Sequence, residues 1–178
     1  MNKNSITITP KKLSQKDFAR YGDVIEVNDQ SNHFNINDGF TTRYNDLADI
    51  NVNAEGGSVL VNIFRSTPLA QPISIQKMER HPLSSQCFIP MGSEPYLVVV
   101  APSGVFDERA VQVFIASSNQ GVNYHAGTWH HFSLALNRTS DFLVIDRGGS
   151  GNNCDEETLK VAIQIGLAPE LNNEASDD

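Results

Sequence analysis

The chain has 178 residues, of which 39% are hydrophobic and 19% charged, and this length and composition are typical of one globular domain with its own core. Its 13 Lys and Arg against 21 Asp and Glu give a formal net charge of -8, so the sequence does not predict the basic surface that nucleic acids require. Residues 5–9 alternate polar and apolar side chains, which predicts neither a signal peptide nor a membrane anchor, and we expect a cytoplasmic protein.

The first predicted element is a short helix near the N-terminus. Ser14 and Asp17 have the spacing of a capping box, in which the hydroxyl accepts a free backbone amide and the acidic side chain reaches back. Phe18 and Tyr21 would face inward from this helix, and Gly22 would end it.

The rest of the chain has the pattern of an all-β protein. Short runs of alternating or β-branched residues predict strands at residues 23–27, 41–44, 58–64, 73–78, 87–89, 96–101, 110–116, 129–136 and 141–145. Residues 30–39 are rich in Asn, Asp, Ser and Gly and predict a loop. Because turn residues and no helical pattern separate these runs, we expect an antiparallel sandwich or barrel of the jelly-roll kind.

We predict a single catalytic domain over residues 1–171. The acidic, polar residues 172–178 are predicted to form a disordered tail. The two cysteines, Cys87 and Cys154, do not suggest a disulfide framework. Cys87 lies in an apolar run, which favours a buried core residue over a nucleophile.

Two polar segments resemble the paired motifs of the cupin superfamily, in which a His-x-His, a nearby Glu and a later His converge inside a barrel. Glu79 and His81 would take the paired positions, Gln86 the acidic position, and His130 the last position of the Gly-x-x-His at residues 127–130. The resemblance implies that these four side chains hold a divalent metal such as nickel. Two imidazoles, one carboxylate and one amide oxygen form a less selective set than the full motif.

Longer segments resemble the ureidoglycolate lyase family. They are residues 21–25, 34–37, 43–44, 79–83, 88–91, 120–125, 129–131 and 141–149, so the resemblance covers the chain from about residue 6 to residue 155. It implies a cupin-type jelly-roll β-barrel that works as a homodimer on a small-molecule substrate. The implied activity is that of a carbon–nitrogen lyase, amidine-type, which cleaves (S)-ureidoglycolate to glyoxylate and urea in allantoin (purine) degradation.

Such a cleavage needs a base for the hydroxyl proton and an acid for the departing nitrogen. His81, His125 and His130 are the catalytic candidates, because imidazole titrates nearest neutral pH. We predict that His130 is the base. If His130 binds a metal instead, it cannot also be the base, and both roles remain open from the sequence.

The substrate carboxylate calls for a guanidinium, which offers two parallel hydrogen bonds. Arg43, Arg65 and Arg80 are the candidates, with Arg43 ranked first because it lies in a predicted strand beside Tyr44. Arg147 is a fourth candidate, with holding a turn together as its alternative role.

Other polar and aromatic residues have two interpretations each. Tyr124 and Trp129 either pack in the barrel or form a wall of the substrate pocket. Asp146 either orients a histidine or caps the turn at residues 148–149. His33 and His131 are predicted to be structural.

Two alternative functions remain open from the sequence. One is a metal-dependent cupin enzyme of another reaction type, which would depend on a tightly bound metal. The other is a non-catalytic cupin that binds a small carboxylate, which glyoxylate would stabilise without turnover. Whichever of these functions the protein has, an edge strand left uncovered would favour a two-fold dimer.

Overall fold

The computed structural model describes residues 6–167. These residues are almost entirely strands and connecting turns, which confirms the predicted all-β class and the jelly-roll architecture. The strands are β1 (Ile6–Ile8), β2 (Lys11–Lys12), β3 (Gly22–Ile25), β4 (His33–Ile36), β5 (Thr41–Tyr44), β6 (Ser58–Ser66), β7 (Ser74–Arg80), β8 (Gln86–Pro90), β9 (Tyr96–Ala101), β10 (Gln112–Ala116), β11 (Gly121–Tyr124), β12 (Trp129–His130), β13 (Leu134–Ala135), β14 (Ser140–Gly148) and β15 (Asp155–Ile165); the α-helix α1 is Gln15–Phe18. The predicted tail at residues 172–178 lies outside the described residues, and the single catalytic domain over residues 1–171 stays a prediction.

Within the described part of the chain, none of the helices combines the length and the apolar character that a membrane crossing requires.

The predicted N-cap is present at the start of α1, although the Asp17 carboxylate reaches back to the Ser14 hydroxyl and not to its backbone amide. The backbone amide of Asp17 donates to Ser14 Oγ at 3.2 Å, and the Ser14 hydroxyl donates to Asp17 Oδ2 at 3.0 Å. Phe18 is completely buried. The prediction that Gly22 closes the helix is wrong, because Gly22 begins β3, where a Cβ would collide with the backbone carbonyl oxygen of Asn123 on β11.

Two curled sheets face each other. Sheet A has the strand order β1-β15-β7-β12-β9-β10-β2, with β13 also paired to β9, and sheet B has the order β3-β11-β8-β14-β6. An aromatic-rich core fills the space between the two sheets, and Phe142 packs edge-on against both Phe88 and Tyr96.

The pleat of the strands decides which side chains enter this interior. Glu79 on β7 lies directly opposite His130 on β12, and His130 lies opposite Val100 on β9, so these three side chains share one face of sheet A. On sheet B, Gln86 lies opposite Tyr124. Because Val100 and Tyr124 both belong to the core between the sheets, the polar side chains of Glu79, His130 and Gln86 point into the same interior.

The loop predicted at residues 30–39 is wrong in part, because β4 begins at His33 and pairs with β5 to form a separate two-stranded hairpin. Asn37 and Asp38 form its turn with φ values of 53° and 56°, a backbone conformation that Asn and Asp tolerate better than most residues. The polar residues that predicted a loop therefore include those that form the turn of this hairpin.

The strand predicted at residues 129–136 is two short strands. His130 pairs with Val100 of β9, whereas Leu134 pairs with Leu97, so the intervening residues include one more residue than their partner strand. Such an extra residue interrupts the ladder in the manner of a β-bulge.

Candidate active site

Glu79, His81 and His130 form a cluster at the end of β7 in the interior of the sandwich. One ligand atom from each residue lies within 4.8 Å of the others. Glu79 Oε1 is 3.7 Å from His130 Nε2, and the centres of the two imidazole rings are 5.1 Å apart. Three of the four residues predicted to hold a metal are therefore neighbours in space.

His130 is held as a neutral imidazole. Its side chain is 1% exposed, and burial together with the nearby His81 lowers the pKa of His130 to about 3. Its Nδ1 lies 2.9 Å from the carbonyl oxygen of Thr128, so the single ring proton belongs on Nδ1 and a lone pair remains on Nε2. The ring of Tyr124 stacks on His130 at 4.3 Å with a tilt of 10°, which fixes the plane of the imidazole.

Gln86 turns its amide oxygen toward this lone pair. Gln86 Oε1 is 3.2 Å from His130 Nε2, and the Gln86 side chain hydrogen-bonds to Asp146. An ionised carboxylate only accepts hydrogen bonds, so the Gln86 NH2 must face Asp146 and its oxygen must face His130. Asn62 Nδ2 also donates to Asp146 Oδ1, at 3.0 Å. The contacts of Asp146 thus orient an amide, which neither sequence interpretation anticipated.

Two effects oppose each other at Asp146. Burial raises the pKa of Asp146, while the hydrogen bond from Gln86 and, in its protonated form, His81 lower that pKa. Burial likewise raises the pKa of Glu79, with His81 acting against it. Burial raises the pKa of Tyr124, and nearby Glu79 raises that pKa further, so its phenol stays protonated.

His81 presents a second free lone pair. Its Nδ1 lies 2.6 Å from the carbonyl oxygen of Asn153, which places the ring proton on Nδ1. Its Nε2 is buried and has no hydrogen-bond partner within residues 6–167. Asn153 also accepts from the Leu83 amide at 2.8 Å and donates to Ser84 Oγ at 2.9 Å, so one side chain fixes the turn that carries His81.

The donor chemistry of this cluster fits a cation. The free imidazole nitrogens of His81 and His130 lie close to the carboxylate of Glu79, and His130 Nε2 also lies close to the amide oxygen of Gln86. Buried polar atoms in proteins are nearly always paired, and a positive charge at the centre of the cluster would pair with the unsatisfied His81 Nε2. The four residues that the cupin resemblance selected are the ones that present these atoms.

A polar cavity of about 280 Å³ adjoins the cluster. It is lined by His81, Ser84, Gln86, Asp146, Arg147, Asn152, Asn153 and Cys154. Glu79 lines a neighbouring cavity of about 180 Å³ together with Lys77 and Glu156. The cluster therefore lies between two openings, and most of the residues that line the larger one have polar side chains.

Two of the predicted carboxylate-binding arginines are engaged elsewhere. Arg65 forms an exposed ion pair with Asp141 at 2.8 Å. Arg80 pairs with Asp155 at 2.8 Å, and its guanidinium lies 4.6 Å from the ring centre of Trp129. Neither arginine lines the cavity. Trp129 contacts Arg80 and packs in the hydrophobic cluster on the outer face of sheet A.

The other two arginines are not paired with a carboxylate within residues 6–167. Arg43 lies on the β4–β5 hairpin, with its guanidinium 5.9 Å from the ring centre of Phe34. Arg147 is buried and lines the cavity, and its Nε and Nη2 both donate to the carbonyl oxygen of Ala54, at 3.1 and 2.8 Å.

His125 is not part of the cluster. It follows Tyr124 directly, so its side chain leaves the interior, and its Nε2 is 3.2 Å from Asp23 Oδ1. His131 is buried, and burial lowers its pKa to about 4. Burial raises the pKa of Cys87 to about 12, which agrees with the core position expected for this thiol.

Comparison with known proteins decides the family. The chain matches the model of the family described as Ureidoglycolate lyase over residues 5–166. The chain belongs to the ureidoglycolate lyase family. It is 45% identical over 166 residues to a protein named Ureidoglycolate lyase from Pseudomonas fluorescens, an alignment that covers 92% of this chain and 98% of that protein.

Other members of the ureidoglycolate lyase family are equally similar. The protein with that name from Burkholderia cepacia is 48% identical over 160 residues, covering 89% of this chain and 90% of that protein. The one from Burkholderia mallei is 47% identical over 159 residues, covering 89% and 93%. The resemblance stated from the sequence is thereby confirmed, and every residue of the cluster falls inside the matched region.

Three features of this site could not be predicted from the sequence. Asn62 and Asn153 hold Asp146 and His81 in place, and both lie in segments whose composition predicts only a strand or a loop. The guanidinium of Arg147 contacts a backbone carbonyl and forms no ion pair within residues 6–167, and no spacing in the sequence indicates either feature. The sequence shows only that Arg147 lies near the end of a predicted strand, and this position does not decide its role.

Proposed function

We propose that this protein is a ureidoglycolate lyase, which cleaves (S)-ureidoglycolate to glyoxylate and urea in allantoin degradation. The observation that carries the proposal is the family match over residues 5–166, with relatives named for that activity that align along nearly their whole length. The polar cavity beside Glu79, His81, Gln86 and His130 supports it, because the substrate is small and polar.

We propose that Glu79, His81, Gln86 and His130 hold a divalent cation. Two imidazoles combined with two oxygen donors suit nickel and other first-row metals that accept mixed nitrogen and oxygen ligands. A bound cation of this kind would polarise the substrate hydroxyl and lower its pKa. His130 is then a ligand, which fits its buried neutral imidazole, and the base must be another residue.

Asp146 is the proposed proton carrier. In the reaction the hydroxyl O–H bond breaks, the glyoxylate C=O bond forms, the C–N bond breaks and the urea nitrogen gains a proton. The net change moves one proton between two atoms attached to the same carbon, so one carboxylate is able to accept it and return it. Asp146 is the carboxylate among the residues that line the larger cavity.

Arg147 is the proposed partner of the substrate carboxylate. A buried guanidinium without a counter-charge is unfavourable, and a bound carboxylate would supply that charge. Arg147 lines the same cavity as Asp146, and its Nη1 atom is not used by the bonds to the Ala54 carbonyl. Tyr124 serves in this scheme by holding the His130 ring in its plane.

We further propose that the enzyme is a cytoplasmic homodimer. The edge of β6 and its exposed apolar side chains favour a two-fold contact over a monomer.

The activity is tested by supplying the purified protein with (S)-ureidoglycolate and measuring the glyoxylate, urea and ammonia that are released. We expect glyoxylate and urea in equal amounts, without ammonia. The matched controls are His130→Ala, which removes one donor of the cluster, and Arg109→Ala, which changes an exposed ion pair with Asp107. Ammonia as the direct product, or an unaltered rate in the His130 variant, would contradict the proposal.

A further inference from the structure

The β4–β5 hairpin, residues 33–44, is an arm that little of the described chain covers. Its two strands pair only with each other among the described strands. Phe34 is exposed, and Phe40 at the tip is 92% exposed. A two-stranded hairpin is marginally stable on its own, and exposed aromatic side chains on it indicate a contact surface.

β6 is the second uncovered element. It pairs with β14 along nine residues, and no described strand pairs with its other edge. Large apolar side chains are exposed on both of its faces: Val59, Val61 and Ile63 on one, and Leu60 and Phe64 on the other. The free face of an antiparallel sheet is normally polar, and native edge strands are normally protected, so this surface requires a cover.

β6 also borders the proposed active site. Leu60 lies directly opposite Asp146 on β14. Asn62, two residues further along β6, donates to the Asp146 carboxylate at 3.0 Å. A segment that pairs with the free edge of β6 would therefore lie two strand spacings, about 10 Å, from β14 and the proton carrier.

The arm of the same chain begins at the wrong place to serve as this cover. It follows β3, which is the opposite edge of sheet B from β6. Four strand spacings separate the two edges, a distance of about 19 Å at roughly 4.8 Å per spacing. The exposure of both elements in one chain agrees with this separation.

We propose that the arm of each protomer docks on β6 of a second copy and brings Arg43 to the cavity of that copy. Each copy carries both an uncovered arm and an uncovered β6, so a two-fold contact satisfies both pairs reciprocally. The proposal rests on the proposed function, because the task of Arg43 is to contact the substrate from the open side of the cavity, opposite Arg147.

The chemistry of the arm matches the surface that it would cover. Phe34 and Arg43 lie directly opposite each other on the two strands and share one face of the arm. That face offers an aromatic ring together with a guanidinium that forms no ion pair within the described residues. The recipient surface combines the apolar side chains of β6 with the acidic Asp146 beside it.

Mixed dimers test the contribution of Arg43. As homodimers, Arg43→Ala is expected to raise KM at least tenfold and His130→Ala to abolish turnover. The two variants carry different affinity tags, are produced together, and the mixed dimer is purified on both tags in turn. One of its two sites then combines the native His130 of one copy with the native Arg43 of the other. We expect about half of the wild-type activity with the wild-type KM.

If Arg43 acts within its own chain, no site in the mixed dimer is complete, and activity stays at the level of the parent variants. That result would overturn the proposal. Arg109→Ala mixed with His130→Ala is the matched control, and it should show half the wild-type activity with the wild-type KM under either arrangement.

The docking surface is tested separately from turnover. Val61→Asp places a charge at a position on β6 that is 66% exposed, so the protomer should still fold, which circular dichroism checks. Light scattering should show a dimer for the wild type and for Arg109→Ala, and a monomer for Val61→Asp. A dimeric Val61→Asp variant would refute docking on β6. A dimeric wild type that does not cleave ureidoglycolate would instead refute the proposed function.

Discussion

Replacing Asp146 with Asn removes the proposed proton carrier while keeping the size of the side chain. General acid–base groups typically accelerate a reaction by about 10²–10⁴-fold, so kcat should fall by that factor. At about 1.4 kcal/mol for each factor of ten, the barrier rises by roughly 3–6 kcal/mol. Asp146 also accepts hydrogen bonds from Asn62 and Gln86, and the amide of Asn cannot accept both with the same strength.

The loss of one charge-assisted hydrogen bond should lower the free energy of unfolding by about 1–3 kcal/mol. Stability is measured by urea unfolding, and kcat by glyoxylate release at saturating substrate and cation. Asn62→Ala is the matched control, because it removes one hydrogen bond to Asp146 and keeps the carboxylate. Its kcat should fall by less than about tenfold.

Two outcomes would refute this reasoning. A kcat of Asp146→Asn within about threefold of the wild type would show that Asp146 does not carry the proton. A loss in Asn62→Ala as large as that in Asp146→Asn would show that the carboxylate matters through its hydrogen bonds alone.

Three further predictions concern the cation, the carboxylate and the cysteines. Chelation should abolish activity, and added nickel should restore it. Calorimetry should show that the His81→Ala variant binds the cation more than about tenfold more weakly than the wild type. Activity that survives complete metal removal would exclude the cation from the mechanism. Arg147→Lys should raise KM by about tenfold or more with a smaller change in kcat, because an ammonium cannot bind a carboxylate with two parallel bonds, and an unchanged KM would assign the carboxylate to another group. Ellman titration of the folded protein at pH 8 should detect one rapidly reacting thiol, that of the exposed Cys154. Cys87 should react slowly because burial raises its pKa to about 12. Two rapidly reacting thiols would contradict the buried position of Cys87.

The proximity of Glu79 and His130 in the candidate metal site was predictable from the sequence because a single strand pairing brings these two residues together. Glu79 ends β7 and His130 lies opposite it on β12, so residues far apart in the chain become neighbours as soon as the two strands pair. The spacing typical of cupins encodes this pairing. Which ring nitrogen of each histidine carries the proton was not predictable. It depends on a carbonyl oxygen that the ring contacts only in the folded chain, that of Thr128 for His130 and that of Asn153 for His81.

The arm and the last strand were not predictable for a different reason. Local composition governs such predictions, and the Asn and Asp residues of the hairpin turn masked the strand that begins at His33. β15 begins with Asp155, Glu156 and Glu157, charged residues that the edges and outer faces of sheets accept but that strand patterns do not favour. Arg43 was correctly placed in a strand, but its position on a projecting hairpin depends on what that hairpin contacts.

The order of strands in sheet A also determines when the site is able to form during protein synthesis. β7 lies between β12 and β15, and Glu79 pairs with His130 on one side and Glu156 on the other. Both flanks of Glu79 are therefore present together only after the ribosome has extended the chain beyond β15. Polypeptides released early, before residue 155, should lack a formed ligand set and should not withdraw nickel or zinc from the cell.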